Sequence, residues 1–128
     1  MGKSMKNENE AIIRDEELRW LLNAIQEVAK TGIRPDGLYW RASYTPEDAA
    51  AVALLKSYME QAGMRVFFDA VGNLHGVLQG KSEQVIMAGS HRDTVRSGGK
   101  YDGMLGILSA ICSAGRLYQR SRKRPWRS

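Results

Sequence analysis

A glycine-rich segment, residues 89–103, follows directly on the most apolar short run of the chain, residues 84–88. The apolar run predicts a short buried strand, and the segment after it predicts a loop because its glycines allow tight backbone turns. In layered α/β proteins, ligands gather at the carboxyl ends of strands. We therefore expect this loop to carry the functional site.

Three helices are predicted from apolar periodicity and capping residues. Apolar residues at three-to-four spacing predict an amphipathic helix over 15–31, and the pair Thr45-Pro46 predicts the start of a second helix that ends at Gly63. A run that is apolar on nearly every side predicts a buried helix over 104–117.

Two further strands, residues 64–70 and 74–79, flank the turn Val71-Gly72-Asn73. The order helix, helix, three strands, loop, helix predicts the α/β fold class, with helices packed on a mixed sheet. We divide the chain into a flexible N-terminus (1–14), a folded domain (15–115) and a basic, disordered tail (116–128).

The positive charge of the chain belongs to that tail. The formal net charge is +5, but residues 116–128 hold six of the 19 Lys and Arg residues and no acid. With Tyr118 and Trp126 between these cations, the tail is open to two interpretations. It could bind nucleic-acid phosphates and stack on bases, as a small basic binding module, or it could be an incidental terminus. We favour the second because no basic face in the rest of the chain adjoins it.

Cys112 is the only cysteine, which excludes an internal disulfide and a cysteine zinc cluster and favours a reducing, cytoplasmic location. No run approaches the roughly 18 apolar residues that a transmembrane helix requires, so no membrane partner is expected.

His91, Asp93 and Asp102 are the candidate site residues of the loop. An imidazole nitrogen and a carboxylate can bind one divalent cation, and the glycines between them let the backbone bring them together. The alternative is an ordinary polar turn in which the aspartates accept backbone N–H groups.

The string Gly-Ser-His-Arg-Asp-Thr-Val at 89–95, followed by Gly-Gly-Lys-Tyr-Asp-Gly at 98–103, resembles the metal-binding segment of the dinuclear zinc amidohydrolases. This family includes allantoate amidohydrolase, N-carbamoyl-L-amino-acid hydrolase and β-ureidopropionase. The segments around Thr45-Pro46 and Asp69–Leu74 stand in the family's order, and the resemblance covers about residues 15–115.

The resemblance implies the N-terminal part of a zinc-aminopeptidase-like catalytic domain without its lid domain. In it, His91 would bind one metal ion, Asp102 would bridge two ions (Zn or Mn), and Asp93 would orient the His91 ring. The implied activity is metal-dependent hydrolysis of linear amide or ureido C–N bonds in a small substrate such as allantoate or an N-carbamoyl amino acid. Intact relatives are expected to form homodimers through the lid domain.

The chain departs from the family pattern after Asp102, because residues 103–128 contain no His, Asp or Glu. Similar enzymes continue with a Glu-Glu pair and further histidine ligands. Here the pair Glu16-Glu17 lies upstream, where we interpret it as a helix-start charge pair, and His75 lies in a predicted strand, where we interpret it as structural. We therefore expect a truncated N-terminal part that is inactive alone.

Overall fold

The computed structural model describes residues 2–122, with side-chain surroundings from residue 16 onward. The elements are α1 (Gly2–Ala29), α2 (Pro46–Gln61), β1 (Arg65–Phe68), β2 (Leu74–Val77) and α3 (Met104–Arg122). No helix within residues 2–122 is both long and apolar enough to cross a membrane.

The three helices share one apolar core. Each contributes residues spaced three or four apart, and the most buried side chains are Ile25 and Val28 of α1, Leu55 of α2, and Leu108 and Ile111 of α3. Full burial of such a side chain contributes about 1.5–3 kcal/mol. The core therefore fixes α3, whose first residue, Met104, is also fully buried.

The start of α2 and the hairpin after it confirm the local predictions. The Thr45 hydroxyl accepts the Asp48 N–H at 3.3 Å with Pro46 in the first turn, and Gly63 takes a φ of +87° just beyond the helix. Strands β1 and β2 pair antiparallel, with Phe68 opposite Leu74. Short-range capping and turn chemistry is sufficient to predict these features.

The strand predicted over residues 84–88 is absent. Val85, Ile86 and Met87 are 79%, 99% and 83% exposed, and the only sheet in the described part of the chain is the β1–β2 pair. A strand needs partners for its backbone N–H and C=O groups, and none of residues 2–122 pairs with this segment. The predicted mixed sheet is thus a two-stranded antiparallel sheet here.

Helices α1 and α3 are both longer than predicted. Helix α1 begins at Gly2 instead of residue 15, because residues 3–14 contain neither glycine nor proline to end it. Helix α3 extends through Arg122, so the part of the predicted disordered tail over 116–122 is helical. The remainder of that tail, residues 123–128, lies outside the described residues.

Helix α3 is buried on one face only. Met104, Leu108, Ile111 and Gly115 are buried, whereas Leu105 and Leu117 are 43% and 60% exposed. The prediction of a buried helix over 104–117 therefore holds for only one face of the helix within the described residues.

Candidate metal site

The loop after residue 90 packs against another loop, residues 39–41. It does not follow a strand, contrary to the prediction. The Thr94 N–H donates to the Arg41 carbonyl at 2.8 Å, and the Gly98 N–H donates to the Tyr39 carbonyl at 2.9 Å. In return, the Arg41 N–H donates to the Thr94 hydroxyl at 2.9 Å. These bonds pair two segments that are distant in sequence.

Arg41 supports this docking from inside. Its side chain is fully buried, and Nε donates to the Arg92 carbonyl at 2.7 Å. Nη1 donates to the Thr31 hydroxyl and to the Tyr39 hydroxyl, each at 3.2 Å, while the buried Nη2 has no hydrogen-bond partner among the described residues. A buried guanidinium thus holds the main chain next to His91.

Arg92 binds Asp48 through two contacts. Nε donates to Oδ1 at 2.7 Å and Nη2 donates to Oδ2 at 3.1 Å, and the Asp48 side chain is only 4% exposed. Asp48 Oδ2 also accepts the Tyr44 N–H at 3.0 Å. Two-point guanidinium–carboxylate pairs fix orientation as well as distance. This pair ties the His91 loop to the first turn of α2.

His91, Asp93 and Asp102 meet around one imidazole ring. Nε2 of His91 lies 3.8 Å from Oδ1 of Asp102. On the other side of the ring, Nδ1 lies 2.9 Å from the Asp93 carbonyl and 3.4 Å from Asp93 Oδ1. All three side chains are about half exposed. The structure therefore brings the three predicted residues together, although the closer contact from Asp93 is its main-chain carbonyl.

Asp102 is positioned by the beginning of α3. The Leu105 N–H donates to the Tyr101 carbonyl at 3.0 Å, and Met104 inserts into the core between the helices. The carboxylate is thus attached to a fixed helix end while remaining exposed to ligands.

The donor set fits a divalent cation. The carbonyl acceptor at Nδ1 assigns the ring proton to that nitrogen, which leaves the Nε2 lone pair facing Asp102. Zinc binds imidazole nitrogen and carboxylate oxygen at about 2.0–2.2 Å, so two ligands of one ion lie between ~3 and ~4 Å apart. Within residues 16–122, no cluster of three or more ligand side chains forms. At the His91 loop, the described residues thus offer one nitrogen and one carboxylate ligand that face each other.

His75 lies outside this arrangement. Its Nε2 lies 3.0 Å from Asp69 Oδ2, and its ring stacks on Phe67 at 4.9 Å between centroids. The hydrogen bond from His75 is the largest cause that lowers the pKa of Asp69 below its ordinary value, followed by hydrogen bonds from the backbone and side chain of Asn73. These contacts agree with a structural role for His75 in the hairpin.

Glu16-Glu17 is not a helix-start pair, because α1 begins well before it. Glu17 Oε1 instead lies 2.8 Å from Nε of Arg116 on α3, although the N–H is not aligned for a hydrogen bond. One cation of the predicted tail is thus engaged within the fold.

Sequence reasoning missed the supporting residues Arg41 and Asp48. Asp48 lies in the first turn of α2, where an acid is already favoured by the helix dipole, so its position after Thr45-Pro46 does not point to a second role. Its pairing with Arg92 spans 44 positions and leaves no local pattern.

Comparisons with known proteins identify relatives of this chain. No family model matches the chain. It is 40% identical over 93 residues to N-carbamoyl-L-amino acid amidohydrolase of Geobacillus stearothermophilus, covering 71% of this chain and 23% of the relative. It is 41% identical over 95 residues to allantoate amidohydrolase of Bacillus subtilis (strain 168), covering 73% of this chain and 23% of the relative.

The fold is similar to the crystal structure of a hydantoinase/carbamoylase family amidase from Burkholderia ambifaria, with a TM-score of 0.74 and 31% identity. That match covers 80% of this chain and 26% of the amidase. The chain therefore spans about a quarter of the length of the proteins that it matches. The likeness confirms the fold class implied by the resemblance.

Proposed function

We infer that this chain, which belongs to the hydantoinase/carbamoylase family of amidohydrolases, provides part of a metal-dependent site that hydrolyses linear amide or ureido C–N bonds. The observation that carries the proposal is the 3.8 Å approach of His91 Nε2 to Asp102 Oδ1 in a loop with few other ligand groups. Because relatives of this chain are an N-carbamoyl-L-amino acid amidohydrolase and an allantoate amidohydrolase, N-carbamoyl amino acids and allantoate are the favoured substrates.

His91 and Asp102 are the residues that would hold the metal. The Nε2 lone pair would bind one ion, and Asp102, with two carboxylate oxygens, would be able to reach two. Imidazole suits zinc and carboxylate suits manganese, so this donor set fits either metal. Two such ions would supply polarisation of the scissile carbonyl and a lowered pKa for the attacking water.

Asp93 would act on His91 and not on the substrate. Its carbonyl keeps the ring proton on Nδ1, and its carboxylate 3.4 Å away adds negative potential to the same edge of the ring. Contacts of this kind fix the tautomer and the ring orientation of a ligating histidine.

A chimera tests the proposal. The aligned 93-residue segment of the Geobacillus stearothermophilus relative would be replaced by the matching residues of this chain. Hydrolysis of an N-carbamoyl-L-amino acid would then be measured with Zn²⁺ or Mn²⁺. We expect activity that His91→Ala and Asp102→Ala remove and that His75→Val retains.

A folded chimera that is inactive, or one whose activity survives His91→Ala and Asp102→Ala, would contradict the assignment of these residues. Circular dichroism and a melting curve distinguish an inactive chimera from an unfolded one.

A further inference from the structure

We propose that Arg92 is a positioning residue for His91 and that it acts through Asp48. The proposal rests on the function proposed above, in which His91 is a metal ligand. It adds a role for two residues that do not themselves face the metal position.

The side chain of Arg92 is directed towards the first turn of α2. Both of its contacts with Asp48 are within hydrogen-bond distance, and the two side chains are 20% and 4% exposed. Such a pair is screened by water far less than a surface ion pair. The orientation of residue 92 is therefore fixed relative to the first turn of a core helix.

The main chain of Arg92 is fixed as well. Its carbonyl accepts the N–H of the buried Arg41 Nε, and the main chain two residues later is bound to Arg41 through Thr94. His91 is itself half exposed, and its ring contacts Asp93 and Asp102 of its own loop. The direction of the ring therefore depends on how residues 92–94 are held.

Arg92 also reaches the hairpin. Its Nη1 and Nη2 atoms lie 3.5 Å from the Gly72 carbonyl, and Asp48 accepts the N–H of Tyr44, which has a φ of +63°. One guanidinium thus joins the His91 loop, the start of α2 and the β1–β2 turn. Lysine cannot reproduce this arrangement, because an ammonium lacks the planar pair of donors.

The test uses the 128-residue chain with Arg92→Leu, Arg92→Lys and the control Arg116→Leu. Arg116 forms a comparable, partly buried ion pair with Glu17, but it joins α1 to α3. The first readout is the ¹⁵N chemical shifts of the His91 ring in the metal-free chain, which report the tautomer. The second is the affinity for Zn²⁺, measured by titration.

We expect Arg92→Leu to mix the His91 tautomers and to weaken Zn²⁺ binding roughly tenfold or more, as loss of a residue that orients a ligating histidine does. Arg92→Lys should stay folded and give a smaller change in the same direction. Arg116→Leu should lower the melting temperature without changing either readout.

The proposal is overturned if both Arg92 variants keep the wild-type ring signals, or if Arg116→Leu changes them equally. Zn²⁺ binding that survives His91→Ala unchanged would instead contradict the proposed function. The ring signals of the metal-free chain would still decide the role of Arg92.

Discussion

Gly103 lies directly against His91. A Cβ atom at position 103 would come within 2.6 Å of the His91 Nδ1 and Cε1 atoms and closer still to the His91 carbonyl oxygen. Gly103 also has a φ of +71°, a conformation that favours glycine. The last residue before α3 therefore sets how near the imidazole can approach the helix that follows Asp102.

Gly103→Ala should displace the His91 ring and weaken Zn²⁺ binding. Left-handed backbone strain alone costs about 1–2 kcal/mol, and the contact with His91 adds to it. Gly37→Ala is the matched control for strain, since Gly37 has a φ of +84° and open space around its Cβ position. Zn²⁺ titration and chemical denaturation of both variants check this. Equal loss of stability with unchanged Zn²⁺ affinity would contradict the expectation.

Asp69→Asn should lower the stability of the hairpin at neutral pH. The loss of stability caused by this substitution should be smaller in acid. The hydrogen bond from His75, with those from Asn73, lowers the pKa of Asp69 in the folded chain. The carboxylate therefore stabilises the fold above the unfolded pKa of about 3.9, and this stabilisation is lost as the pH falls through the lower folded value. Melting curves from pH 7 to pH 2 should show the gap to wild type closing below pH ~4.

His75→Val removes the largest cause of that pKa shift and brings the folded pKa of Asp69 closer to the unfolded value, so the acid loss should be smaller in this variant and should end at a higher pH than in wild type. An Asp69→Asn difference that stays constant across the pH range would count against the argument.

Ile86→Lys should reduce self-association of the chain. Val85, Ile86 and Met87 form an exposed apolar run outside any helix or strand, and its backbone N–H and C=O groups are open to pairing with another chain. Sedimentation velocity at increasing concentration measures the effect. Ser82→Lys adds the same charge to the same exposed segment without removing an apolar side chain, and it should leave association unchanged. Stability should change by less than about 0.5 kcal/mol in both variants.

The 128-residue chain should show no measurable turnover of allantoate or N-carbamoyl amino acids with added Zn²⁺ or Mn²⁺. Hydrolysis needs an activated water, a proton acceptor and a second metal held in place, and removing one costs orders of magnitude. Release of ammonia or free amino acid is the measurement. Metal-dependent turnover that Asp102→Ala abolishes would mean that further ligands come from a second subunit or from His75.

Capping and turn residues that lie close together in the chain account for the helix ends and the hairpin turn that could be predicted from the sequence. Thr45-Pro46 and Gly63 bound α2, and Gly72 lies in the hairpin turn with a φ of +85°. The approach of His91 to Asp102 was expected from the resemblance and from the glycines between them. These features depend on residues close together in the chain.

Non-local requirements explain the errors. Residues 84–88 have strand-like composition, but a strand exists only where another strand pairs with it, and within residues 2–122 none does. The Arg41 and Asp48 contacts to Arg92 could not be predicted either, because they join positions 51 and 44 residues apart. No spacing rule connects such residues.

The buried guanidinium of Arg41 also has a kinetic consequence. Opening the His91 loop would remove the Arg92 carbonyl from Arg41 Nε, and opening the 39–41 loop would break the bonds to both Thr31 and the Arg92 carbonyl, so either motion leaves a buried charged donor without its partner. The two loops should therefore open as one cooperative unit, and the amide hydrogens of Arg41, Thr94 and Gly98 should exchange with solvent at a common rate.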